Sequence, residues 1–330
     1  MRVALLGLGF IGQIHNECAY TDKYGTPLAT VDACFDLDTE KLALFKSARK
    51  YTDIDELLKN EVGKLDFIDI CLPTFMHKEV TVKALRMGYS VLCEKPMALN
   101  TEDTLKMCHV AKECGKRLMI AHVLRFSEEF RLIKKYITEK TLGQLRDIEY
   151  SVYTAGLPMG KNGWFRNHKL SGGSMLDYHI HDADILNYLL GNPKTVSTVG
   201  GTADSEGFYS NFTTNLTYED DVFVSIHGHL AVPKIKHNFG RSLRLNFDGG
   251  YIIKNDNEFT VVDAEGNVTS VEQGDISRAY RNQAQYFIDK LACGGEFTEC
   301  MPEVSSDSVR FVETEIASIK NGGVPIIFTP

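Results

Sequence analysis

The stretch Val3-Ala4-Leu5-Leu6-Gly7-Leu8-Gly9-Phe10-Ile11-Gly12 decides the fold of the first part of this chain. An apolar run typical of a buried strand leads directly into a GxGxxG turn. The motif alone is weak evidence, but a motif that follows a strand and opens a helix indicates a dinucleotide-binding turn. Gly7 allows the tight turn, Gly9 lets the backbone approach a pyrophosphate, and Gly12 permits close packing of helix on strand. An ordinary strand-to-helix turn is the alternative.

A cofactor site is predicted at the carboxyl ends of the first strands, where open α/β sheets bind ligands. It includes Phe10 and Ile11, which open the helix beside the glycines. Asp36 ends the second apolar run; its carboxylate can accept hydrogen bonds from the adenosine ribose and would repel a 2′-phosphate. Because Leu37 follows and Lys41 is the only cation nearby, NAD is favoured over NADP. Alternatively, Asp36 is a solvated turn residue or a helix cap.

A third apolar run ends at Leu72-Pro73-Thr74, and His77 follows it. Pro73 stops the strand and Thr74 can begin a helix, so this backbone can line the nicotinamide side of the groove. We therefore include Leu72, Pro73 and Thr74 in the predicted cofactor site. His77 is included as well, although a position on the helix surface is the alternative.

Glu94-Lys95-Pro96 places a charged amine directly after a fourth apolar run, at the edge where ligands bind. Glu94 and Lys95 are predicted to face the cofactor, and a lysine there indicates proton transfer beside hydride transfer. Pro96 fixes the following backbone, and the Lys95–Pro96 bond can be cis. An exposed lysine at a strand end is the alternative.

Composition and length exclude several classes of protein. The 330 residues favour two domains, which we place at 1–122 and 123–330. With 36 basic and 44 acidic residues, the net charge of -8 argues against a nucleic-acid partner. No apolar run approaches the roughly 20 residues of a membrane helix, and the N-terminus has a strand pattern, so we expect a cytoplasmic protein. Eight cysteines without CxxC spacing are expected to be mostly buried and reduced, rather than in disulfides or metal sites.

The two predicted domains have different patterns of elements. Helical segments alternate over residues 1–122 with five apolar runs, at 3–6, 30–35, 67–72, 90–93 and 117–121. This alternation predicts an α/β Rossmann fold with a doubly wound parallel sheet. Longer strands joined by turn signals follow, which predicts an α+β domain with a largely antiparallel open sheet. One helix, Ser174 to Leu190, interrupts those strands and ends at Gly191.

Acidic and imidazole side chains lie near the start of that helix. Asp177 and His181 are four residues apart, so they are expected to share one helix face below a capping Ser174. Asp177 could instead be only a capping-box partner. A metal cluster of His179, His181 and neighbouring aspartates is disfavoured, because helical residues two apart face different directions. We predict no metal.

Four motifs in order, GLGFIG at 7–12, CLPTFMH at 71–77, CEKP at 93–96 and GGSMLDYHIHD at 172–182, resemble the Gfo/Idh/MocA family over essentially the whole chain. The resemblance implies oxidation of a secondary alcohol of a sugar or cyclitol, or the reverse, with a Rossmann-bound nicotinamide. Lys95 matches the lysine of the family's EKP motif, and Asp177 and His181 match its D-x-x-x-H pair. An imidazole titrates near neutral pH, so His181 is the candidate base, with Lys95 on the same oxygen and Asp177 orienting one of them.

Four further residues are predicted on the substrate side. Trp164 and Arg166 precede the helix with Asp177; an aromatic face and polar donors suit a sugar ring, although Trp164 could be a packed anchor. His122 and Arg125 lie at the predicted domain junction and either face the cleft or tie the domains together. Arg125 belongs to the part of that junction that matches the family.

The resemblance leaves three functions open. The first is a dehydrogenase, the second a glycosidase that uses NAD in a transient oxidation, and the third a cofactor-sensing regulator without turnover. The complete set of Lys95, Asp177 and His181 argues against the regulator. The family also implies a homodimer or homotetramer.

Overall fold

A computed structural model describes residues 1–154, 161–202, 209–230 and 239–330, without the side chains of Lys161, Asn162, Arg166, Thr202 and Phe239. The chain forms two compact units. The first combines 1–127 with 275–306, and the second combines 128–274 with 307–330.

The first unit contains a parallel six-stranded sheet in the order β3-β2-β1-β4-β5-β6. Its strands are β1 (Arg2–Leu6), β2 (Thr30–Phe35), β3 (Arg49–Tyr51), β4 (Phe67–Ile70), β5 (Ser90–Glu94) and β6 (Leu118–Ala121). The predicted parallel Rossmann sheet is confirmed. Only β3 was not predicted, because its three residues lack an apolar run.

Helices connect these strands in the first unit. They are α1 (Phe10–His15), α2 (Thr39–Leu44), α3 (Ile54–Asn60), α4 (Thr74–Arg86) and α5 (Thr101–Glu113), with a π-helical turn at Asn16–Tyr20 and a 3-10 turn at Val123–Phe126. Side-chain oxygens of Asp38, Asp53 and Asn100 accept backbone N–H groups at the starts of α2, α3 and α5. These caps satisfy donors that the helix itself leaves unpaired.

The first unit also takes in a distant segment, so it differs from the predicted division at residue 122. Helix α10 (Ile276–Cys293) buries Ala284 and Phe287 in the core of the first unit. The ring of Phe287 lies edge-on to that of Phe67, with centroids 5.1 Å apart. Buried apolar area therefore assigns α10 to the unit with the parallel sheet.

The second unit contains a nine-stranded sheet in the described residues, ordered β14-β13-β12-β11-β7-β10-β9-β8-β15. Its strands are β7 (Leu145–Thr154), β8 (Thr195–Thr202), β9 (Tyr209–Thr217), β10 (Phe223–His229), β11 (Phe239–Phe247), β12 (Gly250–Lys254), β13 (Phe259–Asp263), β14 (Val268–Ser270) and β15 (Ile326–Ile327). Only β7 and β10 pair in parallel; the other neighbours are antiparallel. The predicted, largely antiparallel sheet is confirmed.

The remaining helices are α6 (Glu128–Glu139), α7 (His168–Ser171), α8 (Gly173–Asp177), α9 (Ile180–Leu190) and α11 (Pro302–Lys320), with 3-10 turns at Lys161–Arg166 and Glu219–Asp221. The predicted single helix from Ser174 to Leu190 is wrong, because α8 and α9 are separate. Between them, the N–H of His179 donates to the carbonyl of Ser174, five residues back, and that of His181 donates to Tyr178, three residues back. Ser174 is not the cap either: the hydroxyl of Ser171 accepts the N–H of Gly173 at 3.1 Å.

The cysteines and the helices bear on two other expectations from the sequence. All eight cysteines lie in them as free thiols, and six are buried; Cys114 is partly exposed and Cys293 is exposed. Among the described helices, none has both the length and the apolar character needed to cross a bilayer.

Candidate functional site

The glycine turn between β1 and α1 has the features that a dinucleotide requires. Gly7 has a φ of +91°, and a Cβ there would lie 2.5 Å from the carbonyl oxygen of Cys71. A Cβ on Gly12 would lie 1.9 Å from the carbonyl oxygen of Gly7, whereas one on Gly9 would have nothing within 4 Å. Gly7 and Gly12 are therefore glycines because the protein packs against them. Gly9 leaves an open approach to the backbone, which fits a pyrophosphate.

Asp36 follows β2 and contacts the glycine turn directly. Its Oδ2 accepts the N–H of Leu8 at 2.8 Å, and its Oδ1 accepts the N–H of Asp38 at 2.8 Å. Lys41 Nζ lies 3.7 Å from Oδ2. A carboxylate has about four lone-pair positions, so it retains acceptor capacity for ribose hydroxyls.

Three apolar side chains predicted in the cofactor site have different environments. Phe10 and Leu37 are 84% and 76% exposed, at the start of α1 and after β2. Ile11 instead packs against the core of the first unit. Exposed apolar groups beside the turn are compatible with an adenosine site, whereas the side chain of Ile11 serves packing.

The turn after β4 is rigidly held. Leu72 and Thr74 are buried, and Pro73 occupies the position before α4. His77 is buried rather than on the helix surface, and its Nδ1 and Nε2 lie 2.7 Å from the carbonyl oxygen of Pro96 and 2.8 Å from that of Leu72. Burial lowers the pKa of His77 despite these two carbonyls. His77 therefore connects this turn to the one that follows β5.

Lys95 lies at the carboxyl end of β5, and its ammonium-bearing side chain is partly exposed. Since β1, β4 and β5 are neighbouring parallel strands, Lys95 shares one sheet edge with the glycine turn. The Lys95–Pro96 peptide bond is cis, the form that a following proline allows. The N–H of Lys95 donates to Glu94 Oε2 at 3.1 Å, and Glu94 is buried.

Sequence reasoning missed a buried cluster beneath this edge. His15, the last residue of α1, has its Nδ1 2.9 Å from Asp69 Oδ2 and its Nε2 3.0 Å from Glu94 Oε1. The hydroxyl of Tyr20 donates to Asp69 Oδ2 at 2.7 Å. Burial alone would lower the pKa of His15, but Asp69 and Cys71 outweigh it, and the pKa is raised well above its usual value. The signal available was Asp69 itself, a carboxylate within an apolar strand, which needs buried partners.

The same cluster has a metal-like composition. Ligand atoms of His15, Asp69 and Cys71 lie within 4.8 Å of one another. However, His15 Nδ1 lies at hydrogen-bond distance from Asp69, and Cys71 Sγ lies 3.5 Å from the same nitrogen. The hydrogen bonds account for the arrangement.

In the second unit, Asp177 ends α8 and His181 is the second residue of α9. They therefore flank the turn at Tyr178 and His179 and belong to separate helices rather than to the single predicted helix. Asp177 is buried, whereas His181 is partly exposed. Burial raises the pKa of Tyr178, and Asp177 raises it further.

His179, between the two predicted residues, is fully buried in an ion network. Its Nδ1 lies 3.1 Å from Asp182 Oδ2, and its Nε2 lies 3.0 Å from Glu315 Oε2. Arg241 and Tyr150 also donate to Asp182. Burial by itself lowers the pKa of His179, but Glu315 and Asp182 raise it to about 10. His179 is thus a buried cation that ties the α8–α9 turn to α11.

The predicted substrate residues are in separate environments. Trp164 lies in the 3-10 turn Lys161–Arg166, and its ring stacks on Phe165 with centroids 3.8 Å apart. The side chain of Arg166 lies outside the described residues. His122 and Arg125 follow β6 in the first unit, where both are buried. Contact of any of these with substrate stays a prediction.

Comparison with known proteins identifies both halves of the chain. Residues 1–122 match the GFO_IDH_MocA model, described as an oxidoreductase family with an NAD-binding Rossmann fold, and residues 130–253 match the GFO/IDH/MocA C-terminal domain. The 2,7-anhydro-N-acetylneuraminate hydratase of Escherichia coli is 26% identical over 63% of this chain and 54% of its own length. Inositol 2-dehydrogenase of Rhizobium meliloti is 24% identical over 90% of each chain.

The chain spans about half the length of the first curated relatives that it matches. Levoglucosan dehydrogenase, solved with NADH and levoglucosan, has the same fold, with a TM-score of 0.87 over 99% of each chain at 18% identity.

Proposed function

The chain belongs to the Gfo/Idh/MocA family of oxidoreductases, and we propose that it transfers a hydride between a secondary alcohol of a sugar or cyclitol and NAD. The observation that carries the proposal is the position of Lys95. It stands at the carboxyl end of β5, on the sheet edge that also has the open glycine turn. An amine at this edge can act on a substrate oxygen beside a dinucleotide.

Three side chains, those of His181, Lys95 and Asp177, are proposed to remove the proton of the substrate hydroxyl and to stabilise the charge that develops on its oxygen. NAD bound at the glycine turn would supply the hydride acceptor. His181 takes the hydroxyl proton, since an imidazole titrates near neutral pH. Lys95 donates a hydrogen bond to the same oxygen and stabilises its developing negative charge, and Asp177 orients the base or the lysine.

The proposed substrate class is supported by the relatives named above, one an inositol 2-dehydrogenase and one a levoglucosan dehydrogenase. The pair of Trp164 and Phe165 adds an aromatic surface of the kind that packs on sugar rings. The proposed partners are the sugar or cyclitol substrate and a second copy of this chain. We propose neither a nucleic acid nor a membrane as a partner.

The test is a panel of cyclitols and sugars incubated with NAD, with the nicotinamide absorbance as readout. At least one polyol should give a net increase in the absorbance of NADH. Lys95→Ala should lower kcat about 10³-fold, because the developing charge loses its donor. The Kd for NAD should change less than about threefold. Lys106→Ala, an exposed lysine of α5, is the matched control and should keep full activity.

A second candidate is turnover through a transient oxidation, without net reduction of NAD. The relative named a hydratase supports it, since that name denotes addition of water rather than net oxidation. Product analysis with glycosides and anhydro-sugars separates the two. If the sugar is converted to a product while no NADH accumulates, the second function is correct and the dehydrogenase function is not.

A further inference from the structure

We propose that His15 and Asp69 are positioning residues for Lys95, which act by fixing the Glu94 carboxylate that holds the Lys95 backbone amide. The importance of this for turnover rests on the proposed function of Lys95. The contacts themselves lie entirely within the first unit and do not depend on it.

The contacts form a continuous series from the glycine-turn helix to Lys95. Asp69 Oδ2 lies 2.9 Å from His15 Nδ1, and His15 Nε2 lies 3.0 Å from Glu94 Oε1. The other oxygen of Glu94, Oε2, accepts the N–H of Lys95 at 3.1 Å. The two carboxylate oxygens of Glu94 thus contact different partners, and a rotation of the carboxylate would break both contacts.

Charge explains why this series is stiff. A neutral imidazole donates only one hydrogen, but His15 faces a carboxylate on each side, so both contacts need the charged ring. His15 and Glu94 are each 4% exposed, and Asp69 is not exposed at all. A buried charge without a partner is unfavourable, so each of the three side chains is held in the position in which it keeps its hydrogen bonds.

Lys95 is also held from its other side. His77 lies 2.7 Å from the carbonyl oxygen of Pro96, the residue after Lys95, and is itself buried. The backbone is therefore held at the Lys95 N–H by Glu94 and at the Pro96 carbonyl by His77. His15 belongs to the first of these two supports, through its contact with Glu94.

The direct test is amide hydrogen exchange at Lys95, which needs no substrate. The side-chain nitrogen of asparagine can take the place of Nδ1, and that of glutamine the place of Nε2. His15→Asn should therefore lose the Glu94 contact and accelerate exchange at Lys95 about tenfold, the effect of one lost hydrogen bond. His15→Gln keeps the Glu94 contact but loses the charge and the Asp69 contact, so it should accelerate exchange at Lys95 less than His15→Asn does.

Two further variants separate positioning from general destabilisation. Glu94→Ala should accelerate exchange at Lys95 at least as much as His15→Asn, and the double variant should add nothing, because both remove one contact. His109→Asn, at an exposed histidine of α5, is the matched control and should change nothing. Exchange in β4 and β5 before Glu94 should stay at the wild-type rate.

Activity supplies the last readout. With a turned-over polyol, His15→Asn should lower kcat about tenfold while the Kd for NAD stays within about threefold. His15→Gln, which keeps the Glu94 contact, should lower kcat less than His15→Asn does. Unchanged exchange at Lys95 in His15→Asn and Glu94→Ala overturns the proposal, as does acceleration throughout β4 and β5. If no polyol is turned over by the wild type, the proposed function fails, but the exchange experiment still decides the positioning role.

Discussion

At the residue scale, Gly9 and Gly12 belong to the same turn but have different surroundings. Alanine at position 9 should therefore affect NAD binding, whereas alanine at position 12 should affect stability. Gly9→Ala places its Cβ in open space and should leave the melting temperature nearly unchanged, while it weakens NAD binding about tenfold by blocking the backbone. Gly12→Ala meets the Gly7 carbonyl oxygen and should cost about 2 kcal/mol or more of unfolding free energy.

Thermal unfolding and isothermal titration with NAD would measure these two effects. The wild-type protein and both variants would be compared in the same buffer. Normal NAD affinity in Gly9→Ala would show that this turn does not receive the pyrophosphate. Normal stability in Gly12→Ala would contradict the packing argument.

Asp36 is the residue that should set the preference for NAD over NADP. Asp36→Asn keeps an oxygen for the N–H of Leu8 but removes the negative charge that would repel a 2′-phosphate. We expect the ratio of the two Kd values to shift towards NADP about tenfold, a loss of about 1.4 kcal/mol in discrimination.

The matched control for this prediction is Asp38→Asn. It removes a charge two residues away, and asparagine remains a good cap for α2. Titration of the wild type and of each variant with both dinucleotides gives the six Kd values required. An equal shift in the two variants would mean that general charge, and not Asp36, sets the preference.

At the scale of elements, local patterns predicted most of the first sheet, but not the turn between α8 and α9. The strands β1, β2, β4, β5 and β6 were visible because each is an apolar run. The turn at Tyr178 and His179 was not visible in the sequence, because it depends on a distant contact. His179 binds Glu315, which lies 136 residues away in the chain. Likewise, His15 meets Asp69 and Glu94 across 54 and 79 residues. Long-range ion pairs leave no periodicity in the sequence.

The His179 network should make stability fall as the pH rises. The pKa of His179 is raised to about 10 in the folded state, against about 6.5 for an unfolded histidine. Its contribution to the free energy of unfolding is therefore complete below about pH 6.5. Above that it declines by at most about 1.4 kcal/mol per pH unit, and it is lost as the pH passes about 10.

Urea unfolding of the wild type and His179→Gln between pH 7 and pH 10 would show this as a shrinking difference in stability. Because that variant leaves two buried carboxylates without their cation, it is expected to be weakly folded. NMR titration of the His179 ring in the wild type is therefore the second measurement. A ring that loses its proton near pH 6.5 would contradict the prediction.

At the scale of the whole molecule, the composition and the alternation of elements predicted two domains, but not the assignment of α10. Residues 275–306 join the first unit because Ala284 and Phe287 pack into its core. An amphipathic helix shows in sequence that it has an apolar face, but not which sheet that face will cover. For the same reason, the partners of the exposed sheet face in the second unit have to be argued from its surface.

That face supports the proposed homo-oligomer. Burial alternates along β10, and Phe223, on the exposed side, is 55% exposed. The row of paired residues runs from Phe223 through Thr217 and Thr195 to Ile327, which is 78% exposed. Apolar side chains on an open sheet face favour pairing with a second copy.

We therefore expect Phe223→Asp to lower the molar mass measured by light scattering to that of the 37.0 kDa monomer, because a charge on this face opposes burial. Leu105→Asp is the matched control: Leu105 is 49% exposed on α5 of the first unit, and its variant should keep the wild-type mass. Circular dichroism should be unchanged in both, since both side chains already contact water. A wild-type protein that is monomeric at micromolar concentration would remove the oligomer from the proposal, and dissociation of the Leu105→Asp variant would place the interface elsewhere.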